Sequence, residues 1–264
     1  MTFVVFATPA FDGTVTLGYL TSMMRTTRVL DERGIKWEHA TIGGDPYLAK
    51  VRNALVSAAL QQFPDMTDLF FLDADLDWDP QAVLKLLDHP SEVAAAIYPK
   101  KMDAPDFPCE LVYEGAEIVD GKPVGGSMVE KDGWYKARKV PTGFLRIKRQ
   151  VLEAMASVSG RYKDGTNGGA LCWNIFEMGY SPDKEAVDGL GEWWGEDYAW
   201  CEKYVRGGGE IWVWPDAEFG HRGPKTWRNN LLPFVQNAAA GRNLKLVKYG
   251  GHGEADQSFP VAAE

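Results

Sequence analysis

The chain is poor in the residues that build metal cages and covalent staples. Of 264 residues, four are histidine and three are cysteine. Cys109, Cys172 and Cys201 make no CxxC pair, and an odd count at wide spacing gives no disulfide framework. A reducing cytoplasm is therefore the expected setting. Four scattered histidines do not supply a multi-histidine cage. No run approaches ~18 consecutive apolar residues, so no spanning helix and no membrane partner is expected. The opening MTFVVFATPAFDG has no basic segment ahead of its apolar run and reads as a first buried strand, not a signal peptide. Basic charge is in deficit as well: 28 Lys and Arg stand against 37 Asp and Glu, a net charge of −9. That argues against a generally basic nucleic-acid coat. Apolar residues, at 45%, are not lacking, and they exclude whole-chain disorder.

The acidic excess is uneven. Residues 131–149 hold seven basic residues (Lys131, Lys136, Arg138, Lys139, Arg146, Lys148, Arg149) and one acid, Asp132. Residues 219–250 hold six basic residues and no acid. Such runs fit solvated surface, or a local landing site for an anionic ligand.

What is present is an alternation of strand and helix patterns. Phe3 to Ala7 is a continuous apolar run of a strand covered on both faces. Leu17, Leu20, Met24 and Val29 follow at near-helical spacing, with Gly34 as a stop. Ile35 to Ile42 reads as a second strand, and Asp45-Pro46 opens a helix to about Gln62. Leu69 to Leu72 is a third strand, broken by DADLDWDP. Asp79-Pro80 opens a further helix, and Val93 to Tyr98 is a fourth strand. Strands and helices alternating at this length imply βαβ units and a mostly parallel central sheet flanked by helices. Residues 107–142 read as hairpin-like strands, a small antiparallel piece, and Lys148 to Ser157 as a helix. Residues 158–195 read as one long loop. Trp194 to Tyr204 returns to helix, and Ile211 to Trp214 to strand. One α/β domain over residues 1–248 and a loose tail over 249–264 are expected.

Three clusters carry chemistry. In Phe70-Phe71-Leu72-Asp73-Ala74-Asp75 a strand delivers two carboxylates to the carboxyl end of a sheet, where open α/β folds bind ligands. Two adjacent carboxylates repel unless a cation sits between them, and oxygen ligands suit Mg²⁺ or Mn²⁺ carrying a substrate phosphate. The plainer alternative makes these acids turn and cap residues, as Asp79 before Pro80 is expected to be. In Trp193-Trp194-Gly195-Glu196-Asp197 two acids open a helix. Either they serve its macrodipole, or Asp197 is a general base. The tryptophans pack in the core or form a stacking wall for a ring-shaped acceptor. In Gly220-His221-Arg222-Gly223-Pro224-Lys225, His221 is a candidate metal ligand beside two cations that would face phosphate. Arg52 and Asn53 are further candidates for reaching a nucleotide.

Taken in order over residues 3–230, these pieces resemble an inverting glycosyltransferase of the GT-A fold, a Rossmann-like single domain that uses nucleotide-sugars. Thr8-Pro9 resembles the end of the nucleotide-binding first strand. Asp45 to Asn53 resembles the helix that carries Arg-Asn. FFLDADLDWDP resembles the metal-binding DXD segment. Val140 to Arg149 resembles the acceptor-side strand and turn, with Pro141-Thr142-Gly143 where the family commonly has Gly-Gly. Gly195-Glu196-Asp197-Tyr198 resembles the xED motif, and His221 the late histidine of the metal site. The resemblance implies Asp75 and His221 on Mn²⁺ or Mg²⁺, with Asp73 assisting. It implies a donor subsite of Thr8, Pro9, Arg52, Asn53, Asp73, Ala74, Arg222 and Lys225. It implies Asp197 as base, and an acceptor side of Gly143, Trp193, Trp194 and Glu196. The donor would be a nucleotide-diphosphate sugar, UDP-linked by expectation. In overall build the chain is also similar to phage-encoded enzymes that glycosylate hydroxymethylated bases in DNA, which makes a hydroxymethylpyrimidine in DNA one expected acceptor; a glycan or small molecule is the other. No protein partner is indicated. A sugar-nucleotide nucleotidyltransferase would share the acidic pair, but ATPAFDGT has no Lys or Arg and a single glycine. A carbohydrate-binding module would use the tryptophans without needing Asp73, Asp75 and His221.

Overall fold

The computed structural model describes residues 1–119, 122–181, 191–241 and 245–248. The tail expected over 249–264 lies outside these residues.

In chain order the elements are β1 (Phe3–Ala10), α1 (Leu17–Glu32), β2 (Lys36–Gly43), α2 (Leu48–Gln62), β3 (Asp68–Leu72), β4 (Leu76–Trp78), α3 (Pro80–Asp88) and β5 (Val93–Ala96). Next come β6 (Glu110–Leu111), β7 (Tyr113–Glu114), β8 (Glu117–Val119), β9 (Lys122–Val124), β10 (Ser127–Lys131), β11 (Trp134–Lys139) and β12 (Phe144–Lys148). Then follow α4 (Arg149–Ser157), β13 (Arg161–Asp164), β14 (Ala170–Trp173), β15 (Gly179–Ser181) and β16 (Glu192–Trp194). The last are α5 (Glu196–Arg206), β17 (Ile211–Trp214), β18 (Glu218–Arg222), β19 (Thr226–Asn230), α6 (Leu231–Gly241) and β20 (Lys245–Lys248).

The main sheet runs β2-β1-β3-β12-β5-β17-β11-β10-β20. It is mixed. β1 is parallel to β2 and β3, and β5 to β17. β12 lies antiparallel between β3 and β5. β3 and β5 therefore point the same way, and the carboxyl ends of β1, β3, β5 and β17 share one end of the sheet. Both faces are covered, which is why the strands read as continuous apolar runs. Side chains alternate between two cores. Phe3, Val5, Leu69 and Phe71 pack with Val51 and Leu55 of α2. Val4, Phe6, Phe70 and Leu72 pack with Tyr19 and Met23 of α1 and Val83 of α3.

Three segments differ from the sequence reading. DADLDWDP contains β4, because Leu76 and Trp78 are buried either side of Asp77 and pair with β18. Three residues are too few to show a period of two. Residues 158–195, expected as a loop, hold two small antiparallel pairs, β13 with β14 and β15 with β16. These strands are short and mostly exposed, so burial leaves little pattern on them. Finally, α5 begins at Glu196, with Trp194 assigned to β16. The expected cap held: Asp79 Oδ1 accepts from Gln81 N at 2.9 Å, with Pro80 in the first turn. No helix among the described residues is long and apolar enough to cross a membrane.

Candidate active site

The Asp73-Ala74-Asp75 turn leaves β3 at its carboxyl end and is clamped through its backbone on three sides. Asp73 N donates to Gly143 O at 2.9 Å, Thr16 N to Ala74 O at 2.9 Å, and Arg222 N to Asp75 O at 2.8 Å. Gly143 permits this close approach, since a Cβ would overlap the Asp73 carboxylate and the Tyr98 hydroxyl and displace them. Gly220 leaves room on the facing strand, since a Cβ there would overlap the Asp77 carboxylate and the Arg228 guanidinium and displace them. The β4–β18 pairing sets His221 opposite Leu76, one residue from Asp75.

His221 Nε2 lies 3.6 Å from Asp75 Oδ2. Its Nδ1 is 2.7 Å from the carbonyl of Pro99, which can only accept, so Nδ1 carries a hydrogen. That fixes the ring with Nε2 turned toward the carboxylate, the arrangement seen in metal-ligating histidines. Lys101 Nζ stands 2.5 Å from the same Asp75 oxygen. Burial would raise the Asp75 pKa, but His221 and Lys101 outweigh it and hold the carboxyl below its ordinary value. Among the described residues no group of three or more His, Cys, Asp or Glu side chains forms a ready metal cage.

The second half of the site is built on Arg52 of α2, which is 2% exposed. Its Nη2 donates to Asp73 Oδ1 at 3.1 Å and its Nε to Glu196 Oε1 at 3.3 Å. One buried cation thus ties the carboxylate after β3 to the first residue of α5. Its Nη1 is buried without a partner. Tyr98 OH donates to Asp73 Oδ2 at 3.3 Å; burial and Asp73 keep its phenol protonated. Asp73 therefore faces Arg52 and Tyr98, while Asp75 faces His221 and Lys101. Next along α5, Asp197 has its pKa pushed up to about 6 by burial and by Glu196. Its Oδ1 accepts from Tyr198 N at 2.7 Å. A carboxyl that titrates near neutrality is matched to proton transfer.

The remaining expected residues fall into four groups. Thr8 and Pro9 are buried at the end of β1, and Thr8 Oγ1 joins Tyr19 OH (2.5 Å) and His39 Nε2 (3.0 Å). Asn53 is occupied in holding the chain at 174–176, through Asn174 Oδ1 (3.0 Å) and the backbone of Phe176 (3.2 and 2.7 Å). The Arg222 side chain is exposed near Thr226, and Lys225 pairs with Asp103. On the acceptor side, Trp193 is 70% exposed and pairs across the strands with exposed Tyr180. Trp194 lies under the Lys139 ammonium, 4.6 Å from the ring centre.

Sequence reasoning missed Lys101, Tyr98 and the Asp77–Arg228 pair (2.6 Å). The signal for the first two was the Tyr98-Pro99-Lys100-Lys101 run at the carboxyl end of β5, the same end that delivers Asp73. No signal marks Arg228, because only the β18–β19 hairpin carries it to Asp77.

No protein-family model matches this chain, and no curated protein matches it. Among solved structures it is similar to A197 from STIV, at 16% identity and a TM-score of 0.45, over 84% of this chain and 86% of that one. It is also similar to a glycosyltransferase involved in the glycosylation of the major capsid of PBCV-1, at 11% identity and a TM-score of 0.33, over 58% of this chain and 63% of that one.

Proposed function

We propose that the protein is a glycosyltransferase that moves a sugar from a nucleotide-diphosphate sugar to an acceptor hydroxyl with inversion. The observation behind this reading is the convergence of Asp75 with His221, and of Glu196 with Asp197, at one sheet end, joined through buried Arg52 to Asp73. Asp197 takes the proton of the acceptor hydroxyl as the oxygen attacks the anomeric carbon from the face opposite the leaving group. The new bond is C–O, the bond to the diphosphate breaks, and the nucleoside diphosphate leaves with the electron pair. Arg52 Nη1 is a donor left over for the substrate. Lys101 sets positive charge beside Asp75.

The residues present fit a divalent cation. Asp75 and His221, a hard oxygen and an oriented imidazole, would hold Mn²⁺ or Mg²⁺ in the manner of sites completed by substrate phosphates and water. Bound there, the ion would neutralise charge on the leaving diphosphate.

The exposed Trp193–Tyr180 pair supports a ring-shaped acceptor. A DNA base as acceptor has weaker support: Lys136, Lys139 and Arg228, three cations of the two basic stretches, face Glu210, Glu110 and Asp77 at 2.7, 2.9 and 2.6 Å. Calorimetric titration of UDP, with and without Mn²⁺, tests the reading. Metal-dependent binding in the wild type and its loss in a folded Asp75→Ala variant are expected. Equal affinity in Asp75→Ala would refute the metal assignment.

A further inference from the structure

Lys101 stands on the carboxylate oxygen that the proposed cation would use. Its Nζ lies 2.5 Å from Asp75 Oδ2, and His221 Nε2 lies 3.6 Å from the same oxygen. The lysine belongs to the loop after β5, which reaches over to the β18–β19 turn. That loop is closed at its base, where Lys100 N donates to Asp106 O at 2.8 Å and Lys100 Nζ to Asp106 Oδ2 at 2.5 Å. Residues 101–105 project beyond the base and are all exposed. Two of their side chains tie them down. Lys101 reaches Asp75, and Asp103 pairs with Lys225 and accepts from Trp227 Nε1 at 3.0 Å. Both partners of the Asp103–Lys225 pair are exposed, and such pairs hold weakly.

The root of the loop is fixed by contrast. Pro99 is buried, and its carbonyl is 2.7 Å from His221 Nδ1. The imidazole can therefore keep its place while residues 101–105 shift. Gly223 makes room for the lysine stem: a Cβ there would lie 2.8 Å from the Trp227 ring and 3.3 Å from Lys101 Cδ.

We propose that Lys101 is an exchangeable counter-cation, which neutralises Asp75 in the free enzyme and moves to the donor's diphosphate when a divalent cation takes that carboxylate. This rests on the reading of Asp75 and His221 as the cation site. Charge is the physical reason. An ammonium and a divalent ion on one carboxylate oxygen repel strongly at such distances. Lysine suits the exchange, being a compact point charge on a flexible stem with no bidentate pair to break. The neighbouring cations have other partners: Lys225 faces Asp103, and Arg228 faces Asp77 and Glu218. Lys101 is paired with the very carboxylate that the cation would claim.

Mn²⁺ titration followed by electron paramagnetic resonance, and calorimetry of UDP, test this on the whole chain. The variants are Lys101→Met and, as a control of equal charge, Lys100→Met. Mn²⁺ alone should bind Lys101→Met about tenfold more tightly than wild type, because the competing ammonium is gone. UDP in saturating Mn²⁺ should bind the same variant about tenfold less tightly. Lys100→Met should move either affinity less than about twofold. In the wild type, Mn²⁺ alone should speed hydrogen exchange over residues 101–104, and added UDP should slow it again. Unchanged Mn²⁺ affinity in Lys101→Met would overturn the proposal, as would equal shifts in Lys100→Met, both affinities falling together, or exchange indifferent to Mn²⁺. Asp75→Ala tells the two readings apart. Mn²⁺ binding retained in Asp75→Ala would remove the cation site and the exchange with it. Binding lost there but indifferent to Lys101→Met would remove the exchange alone.

Discussion

Each end of the main sheet is organised around a buried arginine, and the two differ in the balance of their partners. At the carboxyl end, Arg52 faces the carboxylates of Asp73 and Glu196 and keeps one N–H group without a partner. At the amino end, Arg146 donates to the backbone carbonyls of Leu86, His89 and Ser91, with a single carboxylate, Asp68, more distant at 3.7 Å. Burial lowers the pKa of Arg146, whereas at Arg52 the same burial is outweighed by Asp73 and Glu196, and its pKa is raised. Carbonyl dipoles hold a geometry. Carboxylates hold a charge balance that a substrate can rearrange, and that balance reaches Asp197, one residue beyond Glu196. The same residue type therefore makes a clamp at one end and an electrostatic site at the other.

The sharpest test of that contrast is Asp197→Asn. Asparagine can still accept from Tyr198 N but cannot take a proton. Turnover is expected to fall by ~10²–10⁴-fold with donor affinity retained. Near-wild-type turnover in single-turnover assays would leave Asp197 a helix-start residue only.

Next in size is the arginine pair itself. Arg52→Met strands two buried carboxylates and should cost ~3–5 kcal/mol in urea unfolding. Arg146→Met strands carbonyls, part of which water or a tightened last turn of α3 can satisfy, and one carboxylate, Asp68, whose other oxygen keeps the Thr67 hydroxyl; it should cost less, ~1–3 kcal/mol. Equal losses would erase the distinction between charge balance and clamp.

A smaller effect follows from the Asp197 carboxyl, raised from 3.8 to about 6. A raised carboxyl destabilises the folded state once it is ionised. The penalty is full above the folded pKa and vanishes below the unfolded one. Asp197→Asn should therefore melt higher than the wild type at pH 8, by the equivalent of ~1–3 kcal/mol, with the gap closing between about pH 6 and pH 4. A pH-independent difference would place the raised proton affinity elsewhere. In activity the sign reverses: wild-type turnover should fall as pH drops through about 6, because the base becomes protonated.

The smallest expected change is Trp193→Ala. The ring is exposed, so stability should hold, while acceptor KM rises less than ~10-fold, in keeping with one lost stacking contact. An unchanged KM would remove Trp193 from the acceptor side.

Much of the scaffold was legible in the chain. The apolar runs at Phe3 and Leu69, the Asp79-Pro80 start and the glycine stops mark elements whose signals are local, and both covered faces of the sheet leave continuous runs. β4, β15 and β16 were not legible, since three residues show no period and exposure leaves no apolar imprint. The acids Asp73, Asp75 and Asp197 stood out through their positions at a strand end and a helix start. Lys101 and Tyr98 did not, because a Lys-Lys pair after a strand looks like any solvated turn.

By itself the sequence determined that β1 and β3 are buried on both faces, that two carboxylates follow β3, and that two acids begin α5. It did so because burial and capping are decided within a few neighbouring residues. Only the tertiary structure decided how those acids divide. Insertion of β12 between β3 and β5 sets Gly143 against Asp73, and α2 brings Arg52 to Asp73 and to Glu196, which lie 21 and 144 positions from it in the chain. The β4–β18 pairing then gives Asp75, not Asp73, to His221. Such partnerships depend on register and distance between remote segments, and no local pattern encodes them.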